Sequence, residues 1–145
     1  MKISIETDES IKDTEIYIKC PNLTPEIEKV LSMLRMLDAK LTGVKDGETY
    51  ILDNADILYI DTADKRTFLY ADTEIYETTL RLYELEEKLP ASFFRANKSC
   101  IINMRHIESM RTDLEGRLKV TMSNGEKLMV SRQYAQAVKK KLEVR

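Results

Sequence analysis

From Thr49 to Ser131 the sequence is a succession of short β-branched and aromatic segments, and this succession constrains the fold more than any other feature. Turns rich in Asp, Asn or Gly separate many of these segments. The segments predicted to be strands are 49–52, 57–61, 67–71, 74–78, 107–112, 117–122 and 127–131. A domain in which strands dominate is therefore expected.

The loop between the last two strands can be predicted from the apolar pattern. A two-residue loop at Asn124-Gly125 would put the apolar residues of the two strands on different faces. A three-residue loop, 123–125, instead pairs Val120 with Leu128 and Leu118 with Val130. Because one face must be buried, we choose three residues, with Gly125 in the left-handed conformation.

Residues 1–44 predict a small α+β extension before this domain. Residues 1–20 alternate weakly and favour two short strands. Thr24 then suits a helix N-cap, with Pro25 at the first helical position. The apolar residues at helical spacing are Ile27, Val30, Leu31, Leu34, Leu37 and Leu41, and the stripe is widened by Met33 and Met36. A helix with so wide a stripe either makes a dimer contact or is buried in the core.

Gly43 to Gly47 marks the boundary between this extension and the main domain, so the main domain is expected at 45–145.

Two shorter helices are predicted within the main domain. Leu82, Leu85 and Leu89 predict the first, which Pro90 ends. Ser131 suits the N-cap of the second. The inner side of this second helix should carry Ala135, Val138 and Leu142.

Charge is divided unevenly along the chain. The formal net charge is -2, but residues 1–90 carry 11 basic and 20 acidic residues, and residues 91–145 carry 12 basic and 5 acidic residues. The resulting balances are -9 and +7. A basic C-terminal part indicates a nucleic-acid partner. The alternative is a solvated surface on which charges cluster by chance.

The sequence gives little support for an enzyme, a metal site or a cofactor. His106 is the single histidine, and no P-loop or Gly-x-Gly-x-x-Gly motif occurs. Cys20 and Cys100 lie too far apart for metal-ligand spacing and fit a reducing cytoplasm. No apolar run reaches the length of a membrane span.

Three segments carry side chains suited to nucleic acid. Arg can pair with guanine and Asn or Gln with adenine in the major groove, whereas Lys, Ser, Thr and helix N-termini suit phosphates. The candidate residues are Lys65, Arg66 and Thr67 in the first segment, Arg95, Asn97, Lys98 and Ser99 in the second, and Ser131, Arg132, Gln133 and Tyr134 in the third. Arg95 is either a contact or a structural ion-pair partner. Spacing alone does not bring the three segments together.

The segment 93–107 carries a specific motif. It reads Phe-x-Arg-x-x-x-Ser-x-x-x-Asn-x-x-x-Ile, with Phe93, Arg95, Ser99, Asn103 and Ile107 at the fixed positions, and Phe94 as an alternative aromatic. This pattern resembles the signature of the LytTR-type DNA-binding domain of bacterial transcription regulators. The resemblance covers about residues 45–143, including the sequences 54–60 and 130–134. Asn103 is expected to tie down its own turn through a backbone bond.

The resemblance implies an elongated arrangement of small antiparallel sheets with short helices, which reads successive major grooves of double-stranded DNA through loops. By position it assigns DNA contact to the turn near Thr67, to Lys98 and to Arg132. It implies a cytoplasmic transcription regulator, and the expected form is a homodimer on repeated sites. Residues 1–44 are too short for a phospho-receiver domain, so a small membrane protein encoded alongside is the expected restraining partner. The competing interpretation is a protein-interaction module of the same fold without useful DNA affinity.

Overall fold

The computed structural model of the protein describes residues 1–11, 14–38 and 40–141. The chain divides into two compact units, residues 1–34 and 35–145. The first unit contains most of one helix, and the second contains every strand in the described part of the chain.

The helix of the first unit, α1 (Pro25–Asp38), begins as predicted. Thr24 is its N-cap, because Thr24 Oγ1 accepts a hydrogen bond from the Ile27 N–H at 3.3 Å. Val30 and Leu34 are half-buried, whereas Met33 is 60% exposed. The side chains of residues 36–38, including Met36 and Leu37 of the predicted stripe, lie outside the described set.

The two strands expected within residues 1–20 are not found in residues 1–11 and 14–20, and this is a correction. Ile3 and Ile5 are 79% and 86% exposed, and Ile16 is 62% exposed. An alternating segment becomes a stable strand only when a partner strand pairs with it and one of its faces is buried. Because these isoleucines are exposed, the alternating segments bury no face and form no strand.

Leu41, expected on the helical stripe, instead lies in the first strand. Strand β1 (Lys40–Lys45) pairs antiparallel with β2 (Glu48–Asp53) along its whole length, and Leu41 is 2% exposed. Gly43, predicted from the sequence to begin the domain boundary, is inside this strand. A Cβ atom at Gly43 would lie 2.6 Å from the Cβ of Tyr76, so the close approach of the backbone requires glycine there. A division after residue 44 would cut through β1.

Seven strands form one antiparallel sheet. The strands that join β1 and β2 are β3 (Tyr59–Ala63), β4 (Arg66–Tyr70), β5 (Ile75–Thr78), β6 (Phe93–Asn97) and β7 (Cys100–Asn103). Their spatial order is β2-β1-β5-β4-β3-β7-β6. The strands predicted from the sequence correspond to β2, β3, β4 and β5 and agree with these bounds to within about two residues, whereas β1, β6 and β7 were not predicted as strands. The largest shift is in β3, because a single 3-10 turn at Asn54–Asp56 delays its start to Tyr59.

A second, three-stranded sheet contains β8 (Ile107–Thr112), β9 (Leu118–Met122) and β10 (Lys127–Val130), in the order β10-β9-β8. The predicted three-residue loop is confirmed, because Val120 pairs with Leu128 and Leu118 with Val130. Gly125 has φ +89°, the left-handed conformation that the loop requires.

The seven-stranded sheet has a core on each face. Phe93 and Ile101 pack with Leu82 and Leu85 of α2 (Leu82–Lys88) on one face. On the other face, Phe94 and Ile102 pack against the three-stranded sheet and α3 (Arg132–Lys141). The switch of face between adjacent residues follows from the two-residue period of a strand. Leu142, predicted on the inner side of α3, lies outside the described residues. The fold is mainly β with antiparallel sheets, as the sequence predicted.

Candidate nucleic-acid interface

The turn between β6 and β7 is held together by Arg95. Its Nε donates a hydrogen bond to the carbonyl of Asn97 at 2.8 Å, and its Nη2 donates to the carbonyl of Lys98 at 2.6 Å. Its Nη1 forms an ion pair with Glu86 of α2. All three guanidinium nitrogens are therefore used inside the protein. Of the two roles open to Arg95, the structure supports the structural one, and contact between Arg95 and DNA stays a prediction.

Asn97 fixes the same turn from the other side. Its Oδ1 accepts hydrogen bonds from the N–H and the hydroxyl of Ser99, at 2.9 and 3.0 Å. Its Nδ2 donates to the carbonyl of Met129 in β10 at 2.9 Å. Asn97 and Ser99 thus use their polar groups to build the turn, whereas the side chain of Lys98 between them is exposed and has no ion-pair partner in the described part of the chain.

Two backbone hydrogen bonds bring the three candidate segments together. The N–H of Thr62, at the end of β3, donates to the carbonyl of Ser99 at 2.9 Å. The N–H of Ser131, just before α3, donates to the carbonyl of Ala96 at 2.9 Å. The β6–β7 turn therefore lies between the β3–β4 turn and the start of α3.

The β3–β4 turn contributes Lys65 and no other free candidate. Asp64 and Lys65 both have positive φ, 52° and 65°, as in a tight two-residue hairpin turn, and Lys65 is exposed. Arg66 makes a two-point ion pair with Glu77 of β5, at 2.8 and 2.6 Å, and its guanidinium lies 5.3 Å from the centre of the Phe68 ring. The hydrogen bonds from Arg66 lower the pKa of Glu77, and Glu77 in turn raises the pKa of Arg66.

Thr67 is only 6% exposed and pairs with Thr62 and Thr78 inside the sheet. This low exposure does not support a contact between Thr67 and DNA, and the assignment stays a prediction. Thr67 is the second residue of β4, and its side chain falls on a buried face of the sheet. Arg66, engaged with Glu77, is likewise not free in this structure.

The start of α3 presents Arg132 and Gln133 to solvent. The carbonyl of Ser131 accepts hydrogen bonds from the N–H groups of Tyr134 and Ala135, at 3.0 and 2.9 Å, which defines the first turn. Ala135 and Val138 anchor the helix in the core, so its free N–H groups and the two exposed side chains have a fixed direction. The stem of Arg132 lies beside Gly116, where an added Cβ would be 3.2 Å from Arg132 Cδ.

The candidates therefore separate by role. Lys65, Lys98, Arg132 and Gln133 are exposed and come from the three segments that the hydrogen bonds connect. The residues that build the scaffold are Arg95, Asn97, Ser99 and Ser131. Tyr134 is half-buried against the core. Sequence reasoning did not identify the partners of Arg95, Arg66 and Asn97. These partners are Glu86, Glu77 and Met129, which lie 9, 11 and 32 residues away along the chain.

Asn103, the motif amide, is fully buried. Its Nδ2 donates to the carbonyl of Ile57 at 2.9 Å, and its Oδ1 accepts from the N–H of Arg105 at 3.1 Å. The prediction that Asn103 ties down its own turn is confirmed. Asn103 thus fixes the end of β7 that lies away from Lys98, whereas the motif residues Arg95 and Ser99 hold the turn around Lys98.

Residues 1–11, 14–38 and 40–141 contain no group of three or more His, Cys, Asp or Glu side chains placed to hold a metal ion. Burial raises the pKa of the Cys100 thiol to about 12, which disfavours the thiolate form of a nucleophile. Over the same residues no helix combines the length and the apolarity needed to cross a membrane.

Comparison with known proteins gives one consistent result. The family model for the LytTr DNA-binding domain matches residues 47–143. A solved LytTr DNA-binding domain from Bacillus cereus superposes with a TM-score of 0.69 at 28% identity, covering 72% of this chain and 96% of that one.

Two proteins of Staphylococcus aureus described as uncharacterized HTH-type transcriptional regulators are similar to this chain over nearly their whole length. The one from strain COL is 25% identical over 99% of both chains, and the one from strain MSSA476 is 28% identical over 92% of this chain and 93% of its own. The matching family consists of DNA-binding regulators and not of enzymes.

Proposed function

The chain belongs to the LytTr DNA-binding domain family, and from this premise we propose that it is a transcription regulator that recognises a specific sequence of double-stranded DNA. Loops, and not a recognition helix, would enter successive major grooves. In this proposal residues 40–141 contact DNA. Because bacterial DNA is in the cytoplasm, the proposal places the protein there.

The observation that carries the proposal is the convergence of three distant segments. The hydrogen bonds from Thr62 to Ser99 and from Ser131 to Ala96 connect the β3–β4 turn, the β6–β7 turn and the start of α3. Each segment supplies an exposed cation: Lys65, Lys98 and Arg132. A surface of this kind suits the phosphates that dominate affinity for DNA.

The side chains suggest separate roles. Arg132 has a planar fork of donors that matches the O6 and N7 atoms of guanine, and the amide of Gln133 matches adenine. Lys98 and Lys65 would meet phosphates, as would the free N–H groups at the start of α3. Arg132 is thus the residue proposed to give most of the base preference, and Lys98 the residue proposed to give non-specific affinity.

The first unit is proposed to contact proteins. Its exposed apolar side chains support this assignment: Ile3, Ile5, Leu23 and Met33 are each at least 60% exposed. Burial of these apolar side chains against a partner would lower the free energy of the complex. The proposed partners are a second copy of the chain, giving a homodimer on repeated sites, and a small membrane protein that restrains the regulator.

The test is selection of bound duplexes from a random pool, followed by affinity measurements at several ionic strengths. The expected result is an enriched sequence for which the logarithm of the affinity falls linearly with the logarithm of the salt concentration. A pool that shows neither enrichment nor binding would contradict the proposal. It would favour the protein-interaction module of the same fold.

A further inference from the structure

The outer face of the three-stranded sheet carries three cations that the function proposed above does not use. Arg111 of β8 lies directly opposite Lys119 of β9, and Lys119 lies opposite Met129 of β10. Lys127 lies opposite Thr121, which follows Lys119 by two residues and so points to the same face. The inner face of β9 is instead buried through Leu118, Val120 and Met122. Arg111, Lys119 and Lys127 thus form one exposed group, here called the cationic sheet face.

No acid in the described residues forms an ion pair with these three cations. The nearby acids of the β8–β9 loop, Asp113 and Glu115, are both paired with Arg117. Like charges directly opposite each other in a sheet cost free energy, so the Arg111–Lys119 pair is unfavourable for folding. An anion bound to the cationic sheet face would offset the repulsion between Arg111 and Lys119. Binding of an anion therefore explains why the two cations lie opposite each other.

The face has the shape and the polar groups for a phosphate backbone. A groove of about 460 Å³ runs along it. Its lining consists of the three cations, the outward-pointing Ser109, Thr121 and Met129, and the apolar residues Met110, Val120 and Leu128 between them. Hydroxyl groups beside Lys and Arg are the usual contacts of DNA phosphates. Met129 is the one apolar side chain among the outward-pointing residues of the three strands, whereas a membrane-inserting surface carries several large apolar side chains on its outer face.

The cationic sheet face continues from the proposed DNA interface. The carbonyl of Met129 accepts the hydrogen bond from Asn97, the residue next to Lys98, and Met129 is itself opposite Lys119. Strands in a sheet are about 4.8 Å apart, so Lys119 is one strand away from the edge that holds the turn. A single duplex that contacts Lys98 can therefore extend over this face.

We infer that the cationic sheet face binds the phosphate backbone of the same DNA duplex, in the stretch that flanks the recognised sequence. This inference rests on the proposed function and adds a second contact surface to it. Arg111, Lys119 and Lys127 would increase affinity for any sequence and would leave base preference to Arg132.

The test compares Lys119→Gln with Lys88→Gln in the full chain. Lys88 is an exposed lysine of α2, which packs on the opposite face of the seven-stranded sheet, so it controls for the loss of one charge. Lys119→Gln should lower the slope of log affinity against log salt by about 0.9, and Arg111→Gln combined with it by about 1.8, on selected and random duplexes alike. Lys88→Gln should leave the slope of the parent.

The results separate this inference from the proposed function. If the parent protein selects a sequence while Lys119→Gln and the double variant keep the parental slope, the cationic sheet face does not bind DNA. If the parent selects no sequence at all, the proposed function itself fails. Urea unfolding checks that the variants fold, and removal of the opposed charges is expected to maintain or raise their unfolding midpoint. A loss of slope accompanied by a large drop in that midpoint would count against the inference, since unfolding would then explain it.

Discussion

The side-chain amide of Asn97 donates a hydrogen bond to the main-chain carbonyl of Met129 at 2.9 Å, across 32 residues of sequence. The oxygen of the same side chain accepts hydrogen bonds from the N–H and the hydroxyl of Ser99. One residue therefore both shapes the β6–β7 turn and fastens that turn to the three-stranded sheet.

Replacement of Asn97 by Ala should lower the free energy of unfolding by about 1–3 kcal/mol, because partly buried polar groups of Ser99 and Met129 lose their partner. Urea unfolding measures this change. Asn124→Ala is the matched control, since the Asn124 side chain accepts only from the N–H of Glu126 in an exposed loop, at 3.1 Å. Its cost should stay within about 0.5 kcal/mol. Equal losses in the two variants would contradict the structural role of Asn97.

Arg132→Ala should cost about 1–3 kcal/mol of specific DNA binding and relax the preference at one base pair. Arg132→Lys keeps the charge but lacks the planar fork, so it should lose the preference while keeping the dependence on salt. Titration of both variants against the selected duplex and single-base variants of it measures the two effects. Parental binding by Arg132→Ala would remove this residue from the interface.

Lys98→Ala should weaken binding to selected and random duplexes by the same factor and should lower the salt slope by about one. Lys98→Arg should restore the slope, because it restores the charge. Affinity measured between low and high salt gives the result. A parental slope in Lys98→Ala would show that no phosphate is bound at this position.

Gly43→Ala should lower the free energy of unfolding by about 1–3 kcal/mol, because the added methyl would lie 2.6 Å from the Cβ of Tyr76 and the strands must move apart. Thr42→Ala, at the exposed neighbouring position of β1, should cost less than about 1 kcal/mol. Thermal or urea unfolding of the Gly43→Ala and Thr42→Ala variants measures both changes. Equal losses of stability in the two variants would contradict the close contact between β1 and Tyr76 of β5.

Seven of the ten strands in the described residues, β2 to β5 and β8 to β10, could be predicted because their apolar alternation coincides with real burial. Strands β1, β6 and β7 were not predicted; in β7, for example, the neighbouring residues Ile101 and Ile102 are both buried and leave no alternation. The β9–β10 loop is an example: requiring Leu118 and Val120 to share a buried face with Leu128 and Val130 was enough to choose the register. The same rule predicted strands within residues 1–20 wrongly, since Ile3 and Ile5 alternate with polar residues but are not buried. Apolar alternation indicates which face of a strand can be buried. The face is buried only where another part of the protein packs against it.

The candidate site was predictable by segment but not by residue. Charge and side-chain chemistry identified the three segments, and the hydrogen bonds from Thr62 and Ser131 bring them together. The sequence could not distinguish Lys98 from Arg95, because the difference depends on Glu86, on a separate helix. The ion pair of Arg66 likewise could not be seen in the sequence, since its partner Glu77 is on a strand that pairs with its own.

The turn around Lys98 keeps its conformation through Arg95, Asn97 and Ser99, and the Lys98 side chain takes no part in those hydrogen bonds. Position 98 can therefore change its amino acid without disturbing the framework. In the proposed interface, single substitutions at the tip of the turn can therefore adjust the general affinity for DNA phosphates without lowering the stability of the fold.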